Sequence, residues 1–386
     1  EHRIAEVHTS RTDSEDVHKA NNPWRLQEFN SKAPGLDWGS FFKAAGLNTQ
    51  PMIMVWHPGG VTGISALVGR QPLSVWKEYL TFHAIDRASG LLPKAFADER
   101  FNFYGRTLSG VPQQRERSRR AVSATSNALG DGVGKLYVKR YFPPEAKAKV
   151  QEMVKNLIVA FRRRIDNLEW MSPATKAKAK AKLDTLYVGV GYPEHWRDYS
   201  GLKIVPDDAL GNAERVELFD YHWSLSKLNK PVDKTEWWMT PQTVNAVNLP
   251  IQNIGHEISH SFDDQGSQFD ASGRLLNWWT PQDLAHFRAS ADRLVAEFDQ
   301  YEALPGIHVN GKLTLSENIA DVAGLSVAYD GYRNAYGGKP APDAQGFTGD
   351  QRFFLAYGQS WRGKQRPESL RLQLTGDGHA PDEYRA

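Results

Sequence analysis

The chain has 386 residues, with 47 Lys and Arg against 45 Asp and Glu and a formal net charge of +2. This length supports a large buried core and two domains. The near-balanced charge argues against nucleic acid, whose binders carry a basic patch or stripe. There is no cysteine, so disulfides and thiolate metal sites are excluded and any metal must be held by His, Asp or Glu.

No apolar run reaches the about 18 residues that a membrane helix needs. The opening EHRIAEVHTSRTDSEDVHK is polar and is not a signal peptide. From PPEAKAKVQ onward, Val150, Val154, Leu157, Phe161, Ile165 and Leu168 recur with a 3.6-residue period, which predicts a long helix with one buried stripe. Ser172 followed by Pro173 predicts the cap and first turn of the next helix. Its Lys176, Lys178, Lys180 and Lys182 read as a solvated face. LYVGVGYP, residues 186–193, reads as a strand and turn, and a domain boundary is placed there. Further on, TPQD from Thr280 reads as a capping-box start. The Asn-Gly of VNGK, 309–312, reads as a turn, and Ser316 as the cap of the helix that follows.

The segment NIGHEISHSFDDQG, 253–266, carries the chemistry. On a helix, residues four apart share a face, so His256 and His260 can grip one ion while Glu257 reaches a water beside it. The five-residue motif alone is weak, since an exposed helix face can carry two unrelated histidines. A catalytic zinc needs three protein ligands and one open position. Downstream, Glu317 and Asp321 are also four apart, on a second helix. Glu317 can complete a His2Glu set, and Asp321 can orient a ligand histidine through its other ring N–H. An acidic helix start explains Glu317 as well, through the helix dipole, but Asp321 lies beyond the first turn.

With these residues in hand, the chain resembles the neprilysin-like, or M13, zinc endopeptidases. The resemblance is carried by VNA (244–246), IGHEISHSFDDQGSQFDASGRLLNWWT, VNGKLTLSENIAD with GLSVAY, and HAPDEYR, and upstream by LPKAF, FYG, WMSPATKAKAKAKL and VGYP. It implies zinc ligands at His256, His260 and Glu317, one Zn2+ per chain, with Glu257 as general base and Asp321 supporting a ligand. It further implies that His379 stabilises the oxyanion. The resemblance likewise implies that Arg385 binds a substrate carbonyl and pairs with Asp321, and that Asn245 and Ala246 hold the substrate backbone in strand fashion. The other histidines, including His57, His222 and His286, have no such context and read as structural or exposed.

The resemblance also marks departures. Members of the family are far longer, so the chain is expected to be shortened at its N-terminus, before the zinc helix and at its C-terminus. VNAVNLPIQNIGHE crosses in a few residues a passage that is much longer in the family. GENIAD is SENIAD here.

The fold expected is α+β and predominantly α-helical. A partial helical covering domain (1–185) precedes a thermolysin-like zinc-binding catalytic domain (186–386). The function implied is zinc-dependent hydrolysis of oligopeptides by a monomer, with no nucleic-acid partner, no membrane span and a preference for an apolar residue on the amine side of the cut. An exported bacterial location is expected. The alternative is a shortened, catalytically weak zinc- and peptide-binding protein of the same fold. Glu257→Gln preserves shape but removes the base, so it is expected to keep zinc and lower peptide cleavage by about 10²–10⁴-fold. Metal content and turnover of one preparation check this, and parental turnover would remove Glu257 from the role.

Overall fold

The computed structural model describes residues 1–252, 254–255 and 258–386. Helix dominates, as the periodicity predicts. Among the described residues, strand is confined to three antiparallel two-stranded ribbons: β1 (Pro23–Arg25) with β2 (Met52–Met54), β3 (Asn248–Leu249) with β4 (Ile254–Gly255), and β5 (Glu302–Leu304) with β6 (Ile307–His308).

The chain divides into two compact units. The first comprises residues 1–107 and 202–229. An aromatic nucleus holds it, in which Phe29 meets Trp24, Trp38 and Phe42 with ring centroids 4.9–5.1 Å apart. Its main helices are α1 (Pro58–Arg70), α2 (Leu73–Ala88) and, after a long excursion, Ala209–Leu225.

The second unit, residues 108–201 and 230–386, holds the predicted site residues. Its core joins α3 (Pro144–Asn167), α4 (Pro173–Thr185), α5 (Pro281–Phe298) and α6 (Leu315–Ala335). Phe161 and Ile165, from the predicted stripe, are buried against Leu183, Ile258, Trp279 and Val327. The boundary expected at 185/186 falls inside this unit, because helices before it pack against residues after it.

Several local expectations are corrected. Among the described residues, 186–193 contribute to none of the three ribbons. Val188 and Val190 pack inward, and the turn is held by Lys147, which donates to the Tyr192 carbonyl at 2.9 Å and lies over its ring. Lys182 is not solvated; it is 1% exposed. It lies three residues beyond the buried Ala179 and next to Leu183, which turns it into the core, and its ammonium donates to the carbonyls of Gly266 (2.6 Å) and Phe269 (2.8 Å). Burial lowers its pKa to about 8. The Asn-Gly pair does not close the β5–β6 hairpin, which turns at Gly306 (φ +72). It lies in the turn that leads into α6, and there Gly311 donates to Asp299.

The capping box at Thr280 forms by half. Thr280 Oγ1 accepts from the Asp283 N–H at 3.2 Å, but the Asp283 carboxylate does not reach back. It accepts instead from Ser172 N–H, Ser172 Oγ and Thr175 Oγ1, clipping the start of α4 to the start of α5. Ser172 caps α4 as predicted. Burial would raise the Asp283 pKa, but the hydrogen bonds from Ser172 and Thr175 outweigh it and hold the carboxyl down at about 2.

The folded value thus lies below the unfolded one of about 3.9. The stability that this group contributes is present above about pH 4 and is lost as pH falls through 2. Asp283→Asn is expected to cost about 2 kcal/mol at pH 7, with the gap to wild type closing between pH 5 and pH 2. Paired urea melts across that range check it; a gap independent of pH would contradict the assignment.

Candidate metal centre

Helix α6 presents Glu317 in its first turn and Asp321 one turn on, as their spacing predicts. Its N-cap is Thr314 rather than Ser316. Ser316 lies inside the helix and donates to Asp264 at 2.7 Å, tying α6 to the segment after the histidines.

The expected continuous helix through HEISH is not what the described residues form. Residues 258–261 make a single 3-10 turn, preceded by β4 and followed by a second turn at Gly266–Gln268. The compression has a steric basis: a Cβ on Gly266 would lie 1.8 Å from the His260 carbonyl oxygen, so only glycine lets the chain fold back onto the turn. His256 and Glu257, the expected first ligand and base, lie outside the described residues.

His260 is brought to the site. Its Nε2 is 3.6 Å from Glu317 Oε1, and its Nδ1 is 2.8 Å from Asp263 Oδ2. Asp263 Oδ1 meanwhile accepts the N–H groups of Gln265 and Gly266. Burial pushes the Asp263 carboxyl up, while the hydrogen bond from His260 and the one from Gly266 pull it down. With Oδ1 occupied by two donors, Oδ2 is the oxygen that meets His260 Nδ1, which leaves Nε2 as the ring nitrogen facing Glu317. Sequence reading missed Asp263. Its signal is the His-x-x-Asp spacing in HSFDD, one helical turn apart.

The chain's last residues close the other side. His379 Nε2 is 3.2 Å from Glu317 Oε2, and its Nδ1 is 2.7 Å from Asp377. Hydrogen bonds to Glu317 and Asp377 raise the His379 pKa to about 9, against burial. Arg385 grips Asp321 with two bonds, Nε to Oδ2 at 2.6 Å and Nη2 to Oδ1 at 2.8 Å, and reaches Glu317 Oε2 at 3.4 Å. Its guanidinium lies 4.5 Å from the ring centre of Trp361, and its carbonyl accepts from Tyr357 Oη. Burial and the charge of Glu317 push Asp321 up, and Arg385 opposes them. For Glu317, burial is outweighed by the imidazoles of His260 and His379 beside it, which hold its carboxyl well below the ordinary range.

Asn245 and Ala246 are not drawn into this cluster among the described residues. Asn245 is exposed, and its side-chain oxygen accepts the Ala246 N–H at 2.8 Å. The ribbon is tied to the turn by Asn248 instead, which donates to Ser261 Oγ at 2.8 Å.

Among the described residues, no group of three His, Asp or Glu is arranged as a metal cage. The donor chemistry nevertheless fits zinc: an imidazole nitrogen whose opposite edge is held by a carboxylate faces an ionised carboxylate, with no thiolate in the chain.

The family description "Peptidase family M13" matches residues 1–193 with its N-terminal model and residues 237–386 with its catalytic model. The chain is 28% identical over 438 aligned residues to an endothelin-converting enzyme homolog of Locusta migratoria, with 100% of the chain and 60% of the relative covered. It is 31% identical to neprilysin-2 of Drosophila melanogaster, with 97% and 56% covered. Among solved structures it resembles the zinc metalloprotease Zmp1 of Mycobacterium tuberculosis in complex with inhibitor (TM-score 0.94, 36% identity, 99% of this chain and 64% of that one). It also resembles PepO of Lactobacillus rhamnosis (TM-score 0.88, 29% identity, 99% and 64%). The chain spans between half and two thirds of the length of these relatives.

Glu317→Ala is expected to lose zinc affinity by more than the about 10–100-fold expected for Asp263→Asn, which removes only the partner of His260. Competitive zinc titration of both variants decides this. Parental affinity in Glu317→Ala would place the carboxylate ligand elsewhere.

Proposed function

The chain belongs to peptidase family M13, and from that premise we propose that it is a zinc-dependent endopeptidase acting on oligopeptides. The observation that carries the proposal is the convergence of His260, His379 and Arg385 on the two carboxylate oxygens of Glu317. Two separate stretches of chain, around His260 and from His379 to Arg385, deliver one potential ligand and two cationic donors to a second ligand. A packing arrangement alone has no need of that.

In this reading one Zn2+ is held by His256, His260 and Glu317. When bound, zinc polarises the scissile carbonyl and lowers the pKa of its water. Glu257 takes the proton and returns it to the leaving amine. His379 donates from Nε2 to the developing oxyanion, an interaction often worth about 3 kcal/mol. Arg385, steadied by Asp321, binds a substrate carbonyl, while Asn245 and Ala246 hold the substrate backbone as an added strand. The groove of Ala320, Gly324, Leu325, Phe353 and Tyr357 beside Asp321 is apolar, which suits the apolar residue on the amine side of the cut. In this reading the second unit, residues 108–201 and 230–386, supplies the catalytic residues. We also place the protein outside the cytoplasm as a monomer. No helix among the described residues is long and apolar enough to cross a membrane.

A second reading is favoured by one observation: Val244 is 98% exposed and Asn245 is turned onto its own backbone. With no strand edge built there, the chain would bind zinc and peptide yet cut poorly, since misplacement by about 1 Å can cost roughly 100-fold.

Cleavage of an internally quenched peptide separates the readings. The endopeptidase is expected to cut it, to stop with chelator and to recover with zinc. His379→Ala is expected to lower kcat by about 10²–10³-fold with KM little changed. Stoichiometric zinc without any cleavage would favour the second reading, and chelator-resistant cleavage would refute the first.

A further inference from the structure

Helix α6 has two working faces. Glu317 and Asp321 occupy one. Ile319, Val322, Ala323 and Ser326 fall at the i, i+3, i+4 and i+7 positions of another, and that face lines a half-open cavity of about 500 Å³ within the second unit. Its other walls come from Phe161 and Ile165 of α3, Phe287 and Ala291 of α5, and the paired rings of Trp278 and Trp279. The lining is overwhelmingly apolar, and no part of the proposed peptidase mechanism uses it.

The cavity's chemistry restricts what it can hold. Among the described residues of the lining, Arg164 alone is charged, and its guanidinium is engaged by Asp330, Nε to Oδ2 at 2.5 Å. The indole N–H groups of Trp278 and Trp279 are committed to the carbonyls of Phe269 and Ser267. An anionic ligand would have to break the Arg164 pair, so a neutral one is favoured. An apolar cavity of about 150 Å³ accepts benzene, and one roughly three times larger suits a molecule of about three rings, within the usual range for small-molecule sites.

The walls are also the supports of the candidate metal centre. Phe262, which stacks on Phe161 in the lining, immediately precedes Asp263, the partner of His260. The two tryptophans hold the Ser267 and Phe269 carbonyls, and the far wall is the helix that carries Glu317. A ligand seated here presses at once on the mounts of His260 and of Glu317.

We propose that this cavity binds a neutral, apolar molecule of about three rings and that its occupancy alters metal affinity on the opposite face of α6. The coupling rests on the zinc reading above; the binding does not.

The test is titration of the full chain, zinc-loaded and chelator-treated, with N-phenyl-1-naphthylamine, a neutral three-ring fluorophore that accepts energy from tryptophan. One saturable site is expected. Ala323→Phe and Ala291→Phe, which fill the cavity from different helices, are expected to weaken probe binding at least about tenfold. Should both fail to fold, Trp278→Phe retains an aromatic wall and is expected to reduce energy transfer while probe binding persists. Zinc affinity with saturating probe is expected to change about fivefold or more, with a reciprocal change in probe affinity. Absence of a saturable site overturns the proposal. So does unchanged probe affinity in folded cavity-filling variants, or unchanged transfer in Trp278→Phe. Zinc affinity indifferent to the probe overturns the coupling. A chain that binds no zinc at all refutes the zinc reading and the coupling together, and the probe titration alone then decides the cavity.

Discussion

The two-point grip of Arg385 on Asp321 is the interaction on which the candidate centre depends. It fastens the segment after His379 to the second turn of α6. A guanidinium and a carboxylate match in plane and spacing, so the pair fixes orientation as well as distance. Trp361 covers the guanidinium, and Tyr357 holds the backbone of the same residue. Without that anchor, among the described contacts of Arg385 only the one to Glu317 at 3.4 Å would tie it to α6. With it, His379 is brought to one oxygen of Glu317 while His260 approaches the other.

The second support is buried and less obvious. The turn bearing His260 is a single 3-10 turn, too short to stabilise itself. Its geometry is imposed from behind. Lys182 and the two indoles bind the carbonyls of Gly266, Ser267 and Phe269, and Asp263 gathers the Gln265 and Gly266 N–H groups while holding His260. A buried ammonium is costly unless its hydrogen bonds are made. Lys182 has two backbone acceptors, so the charge that burial penalises is the same charge that orders the segment.

This division explains what could be read from the chain. His379 and Arg385 came into view only through the family resemblance, because a loop histidine and a distant arginine carry no local signal. His260, Glu317 and Asp321 were candidates from residue type and local spacing, since a helix converts a spacing of four into a shared face. The stripe of α3 and the Ser172 cap were legible for the same reason. The fate of Lys182 was not, because burial of one lysine among four depends on a loop more than eighty residues away. Asp283 was read as a local cap, yet its carboxylate serves α4, more than a hundred residues upstream. The 3-10 turn at 258–261 could not be read because helical spacing is silent on what precedes and follows it. Nor does the sequence reveal a cavity, which is a property of how four elements meet.

The central claim is that His260 and Glu317, with His256, hold one zinc ion. Zinc K-edge X-ray absorption tests it most directly on the loaded protein and on His260→Ala and Glu317→Ala. The account predicts a first shell of nitrogen and oxygen only, with outer-shell imidazole scattering that falls in His260→Ala and is retained, with fewer oxygen donors or weaker occupancy, in Glu317→Ala. Imidazole scattering unchanged in His260→Ala at full zinc occupancy would contradict it.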